Sequence, residues 1–446
     1  MKLFFFFLIL IFANSCSFDT KSGIWKNESD LAKKIKNTKS ENFIELNNLL
    51  LNEEIFSKTI NLENNYSFKL SKPIKNGEWH DMYYKNTNNF DNLEYNNLDK
   101  QIVKSRKLTG NKSNEFIFIK KDILFLTDQK GNIITYSNTE NRLLNKFNFY
   151  KKQFKNYKKK LNLFVDNNKI YVSDNMGYLY SYDYKLNKIL WAKNYKIPFR
   201  SNIKISKNKI FASNQNNDLL IFDKNSGEIL KKIPTEPTII QNNFVNNIAL
   251  DNVKTLFFLN SYGSLYAIDL EFLEVKWFIN LNKSIDLNPS NQFSGNPIIY
   301  QKNKIIISSN FQSYIIDSNT GSILNKKNFS SYLKPIINNN YLFLITKKNL
   351  LVSVDLRDNK ILYSYNIDQQ IAEFLKIKKE TVSLKSLMLV NNNLFVFLNN
   401  SYVLNFNIKG KLQEIKKLNS EVNSQPIFIN GSLMYLDKKN RLTIVN

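Results

Sequence analysis

Between Asn168 and Trp191 the chain alternates apolar and polar residues in three short runs, KIYVS, YLYSYD and KILW. Turn-type clusters at Asp174 to Gly177 and Tyr184 to Asn187 separate them. A period of two broken by turn residues predicts an antiparallel meander. The pattern then returns: NVKTLFFLNSYGSLYAIDLEFLEVKW places Gly263, Asp269 and Trp277 where the first copy has Gly177, Asp183 and Trp191. Further copies carry Asp223, Asp317 and Asp355 in the Asp position, a degenerate first copy has Gly131 with Ser137, and a late copy has Asn407. The mean spacing is about 45 residues, the length of one four-stranded propeller blade. The predicted fold is therefore all-β, a single β-propeller over residues 54–446.

The end of the chain sharpens that prediction. PIFING, SLMYLDKK and RLTIVN supply three strands, and the sequence stops at Asn446 before a fourth. An open blade would leave an unpaired edge. A strand from the N-terminal side, expected at Tyr66 to Leu70, closes it and makes eight blades; seven is the alternative, because the first copy is poor. EIFSKTINLENNYSFKLSKPI, ending at Ile74, reads as two strands, whereas Gly77 to Leu98, with Trp79, His80 and many Asn, reads as irregular. Within the repeat, Gly177 and Gly263 suit turns that need positive φ. The recurring Asp suits capping of the turn after it, and Trp191 and Trp277 suit wedges between blades.

The N-terminus has a different pattern. Met1 and Lys2 precede an unbroken apolar run from Leu3 to Ala13, too short for an ordinary membrane span and followed by Asn14, Ser15 and the sole cysteine, Cys16. Residues 1–15 are expected to be a signal peptide. The small residues before Cys16 resemble a bacterial lipobox, which implies lipidation of Cys16; a plain secretory signal with an incidental Cys is the alternative. Residues 16–53, rich in Lys, Asn, Ser and Glu, read as a tether, with helical spacing around Leu31 to Leu51.

Charge and candidate chemistry narrow the function. Lys and Arg number 63 against 38 Asp and Glu, a net +25, but the lysines are scattered through hairpin turns instead of gathered into one patch, so nucleic acid is not the expected partner. His80 is the only histidine, which excludes a His-based metal cluster, a Ser-His-Asp triad and a Cys-His pair. Neither GxxxxGK[ST] nor GxGxxG occurs. DKNSGEI from Asp223 and DSNTGSI from Asp317 begin like calcium loops, but their Gly is one place early and Pro234 or Asn328 stands where Glu is required. No catalytic, cofactor-binding or metal-binding residue is assigned, and the chain is expected not to be an enzyme.

Gly-x-Leu-Tyr-x-x-Asp followed by an aliphatic pair and Trp, clearest at Gly177 to Trp191 and Gly263 to Trp277, resembles the PQQ-like β-propeller repeat from about Phe116 to the C-terminus. A lipoprotein signal, a tether and about eight blades with no added domain resemble the BamB family of outer-membrane assembly lipoproteins. The resemblance implies a lipid anchor on the periplasmic side of the outer membrane and a scaffold that binds a BamA-type insertase and unfolded outer-membrane protein clients. KIPFRSNI, Lys196 to Ile203, is similar to the partner-binding loop of that family, which implies contacts from Pro198, Phe199 and Arg200. Two other readings stay open: a PQQ-dependent quinoprotein dehydrogenase, and a propeller binding envelope polysaccharide or protein.

Overall fold

The computed structural model describes the backbone of residues 16–18 and 25–27, and residues 56–150, 154–236, 245–282, 293, 295–309, 311–331 and 333–446. The expected signal peptide lies outside the described residues. So do the Cys16 side chain and most of the tether, including the helix expected around Leu31 to Leu51. The N-terminal unit, Met1–Phe56, contains one antiparallel strand pair, Cys16–Phe18 with Trp25–Asn27.

Ser57–Asn446 forms a ring of eight four-stranded antiparallel sheets. Blades 1 to 7 run Ser113–Asn148, Leu161–Asn194, Lys204–Ile233, Asn247–Asn280, Ile299–Lys327, Ile336–Asn366 and Leu384–Lys417, each in simple meander order from the centre outwards. Blade 8 takes three strands from Ile427–Val445 and its outermost from Gln101–Lys107, with Val103 opposite Ile444 and Lys104 opposite Thr443. The first and last blades are thus clasped by an N-terminal strand, but not by Tyr66 to Leu70. That segment lies across blade 6, where Phe68 packs on Tyr341, Phe343 and Tyr363 and the Tyr66 hydroxyl donates to Asp355 at 2.9 Å. Of the two strands expected from Ile55 to Ile74, the described residues keep only isolated bridges at Ile60 and Ile74.

The repeated residues have physical work in this ring. The indole of Trp191 in blade 2 lies against Gly227 of blade 3 and donates to the Lys224 carbonyl at 3.2 Å; Trp277 in blade 4 does the same to Gly321 and Ser318 of blade 5, at 3.1 Å. Each blade from 1 to 7 also has a register shift between its third and fourth strands; in blades 1, 2, 3, 5 and 6 it falls at an aliphatic pair, and in blades 4 and 7 at Lys276 and Gln413. In blades 1, 2, 3 and 5 the extra residue is turned out, Leu144, Leu190, Leu230 and Leu324 being 40–47% exposed, whereas Leu362 of blade 6 is buried in the core.

The Asp position caps the turn that leads into the fourth strand. Asp223 accepts from the backbone N–H groups of Ser226 and Asn225, and Asp269 from those of Phe272 and Glu271, all at 2.8–3.1 Å. These bonds, with Ser226 and Phe272 foremost, hold both carboxyls below the ordinary Asp value. A lowered folded-state pKa stabilises above the unfolded value of about 4 and loses that contribution as pH falls through the folded value. Asp223→Asn combined with Asp269→Asn keeps the acceptors and removes the titration. Thermal melts between pH 7 and pH 2 should therefore fall off less steeply in acid for the variant than for the parent; parallel curves would count against the capping account.

Candidate functional site

The innermost strands of the blades surround a central channel, and the chain's own residues 79–96 close one of its mouths. This strap is the stretch that reads as irregular in sequence, and it meets the blades in chain order. Trp79 exchanges backbone hydrogen bonds with Ile119 of blade 1, and the His80 carbonyl accepts from Val165 of blade 2. Asp81 forms an ion pair with Lys204 of blade 3 at 2.6 Å, and the Asn86 carbonyl accepts from Leu250 of blade 4. The Asn88 amide donates to Ile248 of blade 4 and Ile298 of blade 5, and Asn89 exchanges bonds with Ile337 of blade 6. Leu93 binds the backbone of Leu389 and Asn391 in blade 7, and Asn96 donates to Gly431 in blade 8. From there the chain passes outwards to become the clasp strand.

The strap has no regular periodicity because each residue answers a different blade. Side-chain amides of Asn88, Asn89 and Asn92 supply bonds that a ladder would otherwise provide. Asp81 and Lys204 are fully buried, and the ammonium of Lys204 also reaches the Lys85 carbonyl at 2.7 Å. Burial pushes the Lys204 pKa down and Asp81 pulls it back up, leaving it below the ordinary value. Lys334, just ahead of blade 6, donates to the carbonyls of Asn88 and Tyr83 and sits 3.2 Å from the centre of the Phe90 ring. His80 is part of the same closure: its ring stacks on Phe164 and reaches Glu78 at 3.1 Å.

The segment Tyr195–Ile203, which joins blade 2 to blade 3, lies on the face of the ring away from the strap. Gly177, at φ +86°, allows the close approach: a Cβ there would stand 3.0 Å from the backbone nitrogens of Lys196 and Ile197. The Phe199 N–H donates to the Asp174 carbonyl of blade 2, Arg200 donates to Ser213 of blade 3, and the Arg200 carbonyl accepts from Asn246 beside blade 4. The three residues expected to meet a partner are therefore placed differently. Phe199 is 2% exposed, packed against Tyr195 and Phe222, so it fixes the loop and has no surface to offer. Pro198 and Arg200 are half-buried.

Among the described residues the Arg200 guanidinium has no hydrogen-bond partner. Burial lowers its pKa, and Lys160 of blade 2 is held below its usual range by desolvation and then by the Arg200 charge, against the pull of Glu115. Lys385 of blade 7, also lowered by burial, approaches Glu115 at 4.0 Å, and Gln425 donates to the same carboxylate at 2.8 Å. Lys160 and Lys385 thus both face Glu115, with Arg200 next to Lys160, and an incoming carboxylate would relieve the repulsion between Lys160 and Arg200. Lys160, Glu115 and Lys385 carry no repeat signal, so only the topology brings them together.

No group of three or more His, Cys, Asp or Glu side chains converges among the described residues. Near the strap the buried ammonium groups of Lys204 and Lys334 are already bonded to Asp81 and to strap carbonyls. At that end of the channel they do not fit an anionic quinone cofactor such as PQQ.

Comparison with known proteins bears on the fold and the family. No curated protein matches the chain in sequence. Among solved structures it is similar to BamB from Moraxella catarrhalis, with 13% identity, a TM-score of 0.61, and coverage of 78% of this chain and 99% of that one. It is also similar to the quinohemoprotein alcohol dehydrogenase of Comamonas testosteroni, at 10% identity and TM-score 0.63 over 82% and 80% of the two chains. The computationally designed Ika8 protein matches at 11% identity and TM-score 0.59, over 78% and 99%. At these identities the likeness is one of fold. The family model described as outer membrane protein assembly factor BamB matches residues 129–365, more than half of the sequence, and the chain belongs to that family.

Proposed function

We propose that the protein is a non-enzymatic scaffold lipoprotein of outer-membrane β-barrel assembly, anchored through Cys16 on the periplasmic side, binding a BamA-type insertase and helping to deliver unfolded outer-membrane proteins. The observation that carries this reading is Arg200: a guanidinium on a loop pinned to neighbouring blades, next to Lys160, with its bonding capacity unused among the described residues. An acidic side chain of the partner is the group it suits, with Pro198 beside it and Phe199 holding the loop from below. Family membership supports the same assignment. A route for clients is suggested by blade 6, whose outer strand already accepts the chain's own Ile60 through paired backbone bonds with Ser364 at 3.0 and 2.9 Å. The same mode of strand addition is available to an extended client.

The test is crosslinked affinity purification of the membrane-anchored protein, with mass spectrometry of what co-purifies. Arg200→Glu should cut recovery of a BamA-type insertase at least about tenfold, the equivalent of 1.4 kcal/mol. Phe272→Ser, on the opposite side of the ring, should leave it unchanged. Recovery of cytochromes or sugar-processing enzymes in place of an insertase would overturn the proposal.

A further inference from the structure

The connection from blade 6 to blade 7 differs from the other described connections by carrying a helix, Ile367–Leu375. It is bolted down at several points. Asn366 caps its N-terminus by accepting from the Gln369 N–H at 2.8 Å, and Ile367, Ile371 and Ala372 are buried beneath it. Asp368, 5% exposed, accepts from the Asn349 side chain of blade 6 and from the Val382 N–H, so the return of the chain is fixed as well. On the other flank Gln370 bonds the backbone of Gly410 and Leu412 in blade 7.

What this frame holds up is an apolar tip. Phe374, Leu375 and Ile377 are 47%, 46% and 55% exposed, and Lys376, Lys378 and Lys379 are interleaved with them in the sequence FLKIKK. Every residue from Glu373 to Thr381 is exposed. The neighbouring turn of blade 6, which supplies Asn349, also places Lys347 6.0 Å from the centre of the Phe311 ring, and Phe311 is itself 75% exposed. A mobile loop could fold such residues away; a helix anchored on both flanks presents them permanently to whatever lies beyond.

We propose that this tip is a second membrane contact, independent of the N-terminal anchor, that docks on an anionic bilayer surface. Phe374, Leu375, Ile377 and Phe311 would enter the headgroup region, and Lys376, Lys378 and Lys379 would meet lipid phosphates. Alternation of large apolar and cationic residues on one short protruding element is the pattern of interfacial binding. The charge selects the occupant: lysines alternate with the apolar side chains themselves, which suits a phosphate-lined surface and disfavours a dry protein groove.

The test uses the full chain with Cys16→Ala, which removes the acylation site and leaves no other thiol. Ile377→Cys then carries an environment-sensitive fluorophore. A second protein carries it at Phe272→Cys, a 69% exposed position in a turn on the opposite side of the ring. Vesicles of phosphatidylcholine with about a third phosphatidylglycerol should shift the probe at 377 to the blue and leave that at 272 unchanged. Pure phosphatidylcholine should shift neither. Changing Lys376, Lys378 and Lys379 together to Gln should weaken the response about a hundredfold, each lysine near an anionic surface contributing roughly fivefold. The lysine changes separate the tip from insertion of the apolar run Leu3 to Ala13, which they leave untouched. No shift at 377, an equal shift at 272, or a response indifferent to the lysines would overturn the proposal.

Discussion

Asp81→Ala is expected to destabilise the ring by about 3–5 kcal/mol, the usual consequence of removing one partner from a buried ion pair. Both members of the Asp81–Lys204 pair are 0% exposed, and after the substitution the ammonium keeps only the Lys85 carbonyl. The pH dependence should identify the cause. Burial already places the folded-state pKa of Lys204 below its ordinary value, and Asp81 opposes that shift; without Asp81 the depression deepens. Between the folded value and the unfolded value of about 10.4 the unfolded chain binds more protons, so stability rises with pH in that window. Urea unfolding at pH 7 and at pH 9.5 should show the variant recovering part of its loss at the higher pH. Lys204→Met added to Asp81→Ala should restore most of it, since a well-packed apolar side chain replaces a charge with no partner. A loss below about 1 kcal/mol, or no recovery in the double variant, would mean that the strap is not held through this pair.

Gly321→Ala is expected to cost about 2–4 kcal/mol, from two separable sources. Its φ of +77° is unfavourable for any residue with a Cβ, by about 1–2 kcal/mol. The added carbon would also lie 2.6 Å from Cε3 of Trp277, so the indole must move and its bond to Ser318 is strained. Made on a Trp277→Ala background, the same glycine change should cost only the backbone part, leaving a coupling of about 1–2 kcal/mol in a double-mutant cycle. Full additivity in thermal or urea unfolding would show that the wedge between blades 4 and 5 does not join them energetically.

The blades were readable because their residues repeat. Glycine at a tight turn and Asp ahead of the next strand recur at blade spacing, Trp in the fourth strand returns two blades on, and each has one local reason that the structure reproduces at Gly177, Asp223 and Trp277. Legibility ends where a residue's role depends on a distant partner. Tyr66 to Leu70 alternates as a strand should, yet its apolar residues are taken up by the aromatic face of Tyr341, Phe343 and Tyr363. The true clasp, QIVKSRK, has only two apolar residues, side by side, and buries only Ser105, because it is the outermost strand of its blade; its pattern does not announce a strand. The helix at Ile367 to Leu375 is short enough to pass for the end of a strand. In the site, Arg200 was recognisable by resemblance, but the inward turn of Phe199 and the gathering of Lys160, Glu115 and Lys385 arise from ring closure, for which local sequence has no signal.

The strap also acts as a gauge. Trp79 to Asn96 is 18 residues, and at an advance of at most about 3.3 Å per residue such a thread can run no more than about 60 Å. It meets the eight blades in order, and part of that length is taken up by two hydrogen-bonded turns, Asp81 to Tyr84 and Lys85 to Asn88. Duplication or loss of a 45-residue repeat, the easiest change for a repetitive gene, would leave an inner strand without its strap residue or a strap residue without its strand. The number of blades in this protein is therefore guarded by a segment that belongs to none of them, and a viable ring of seven or nine would need a matching change near residue 88 at the same time.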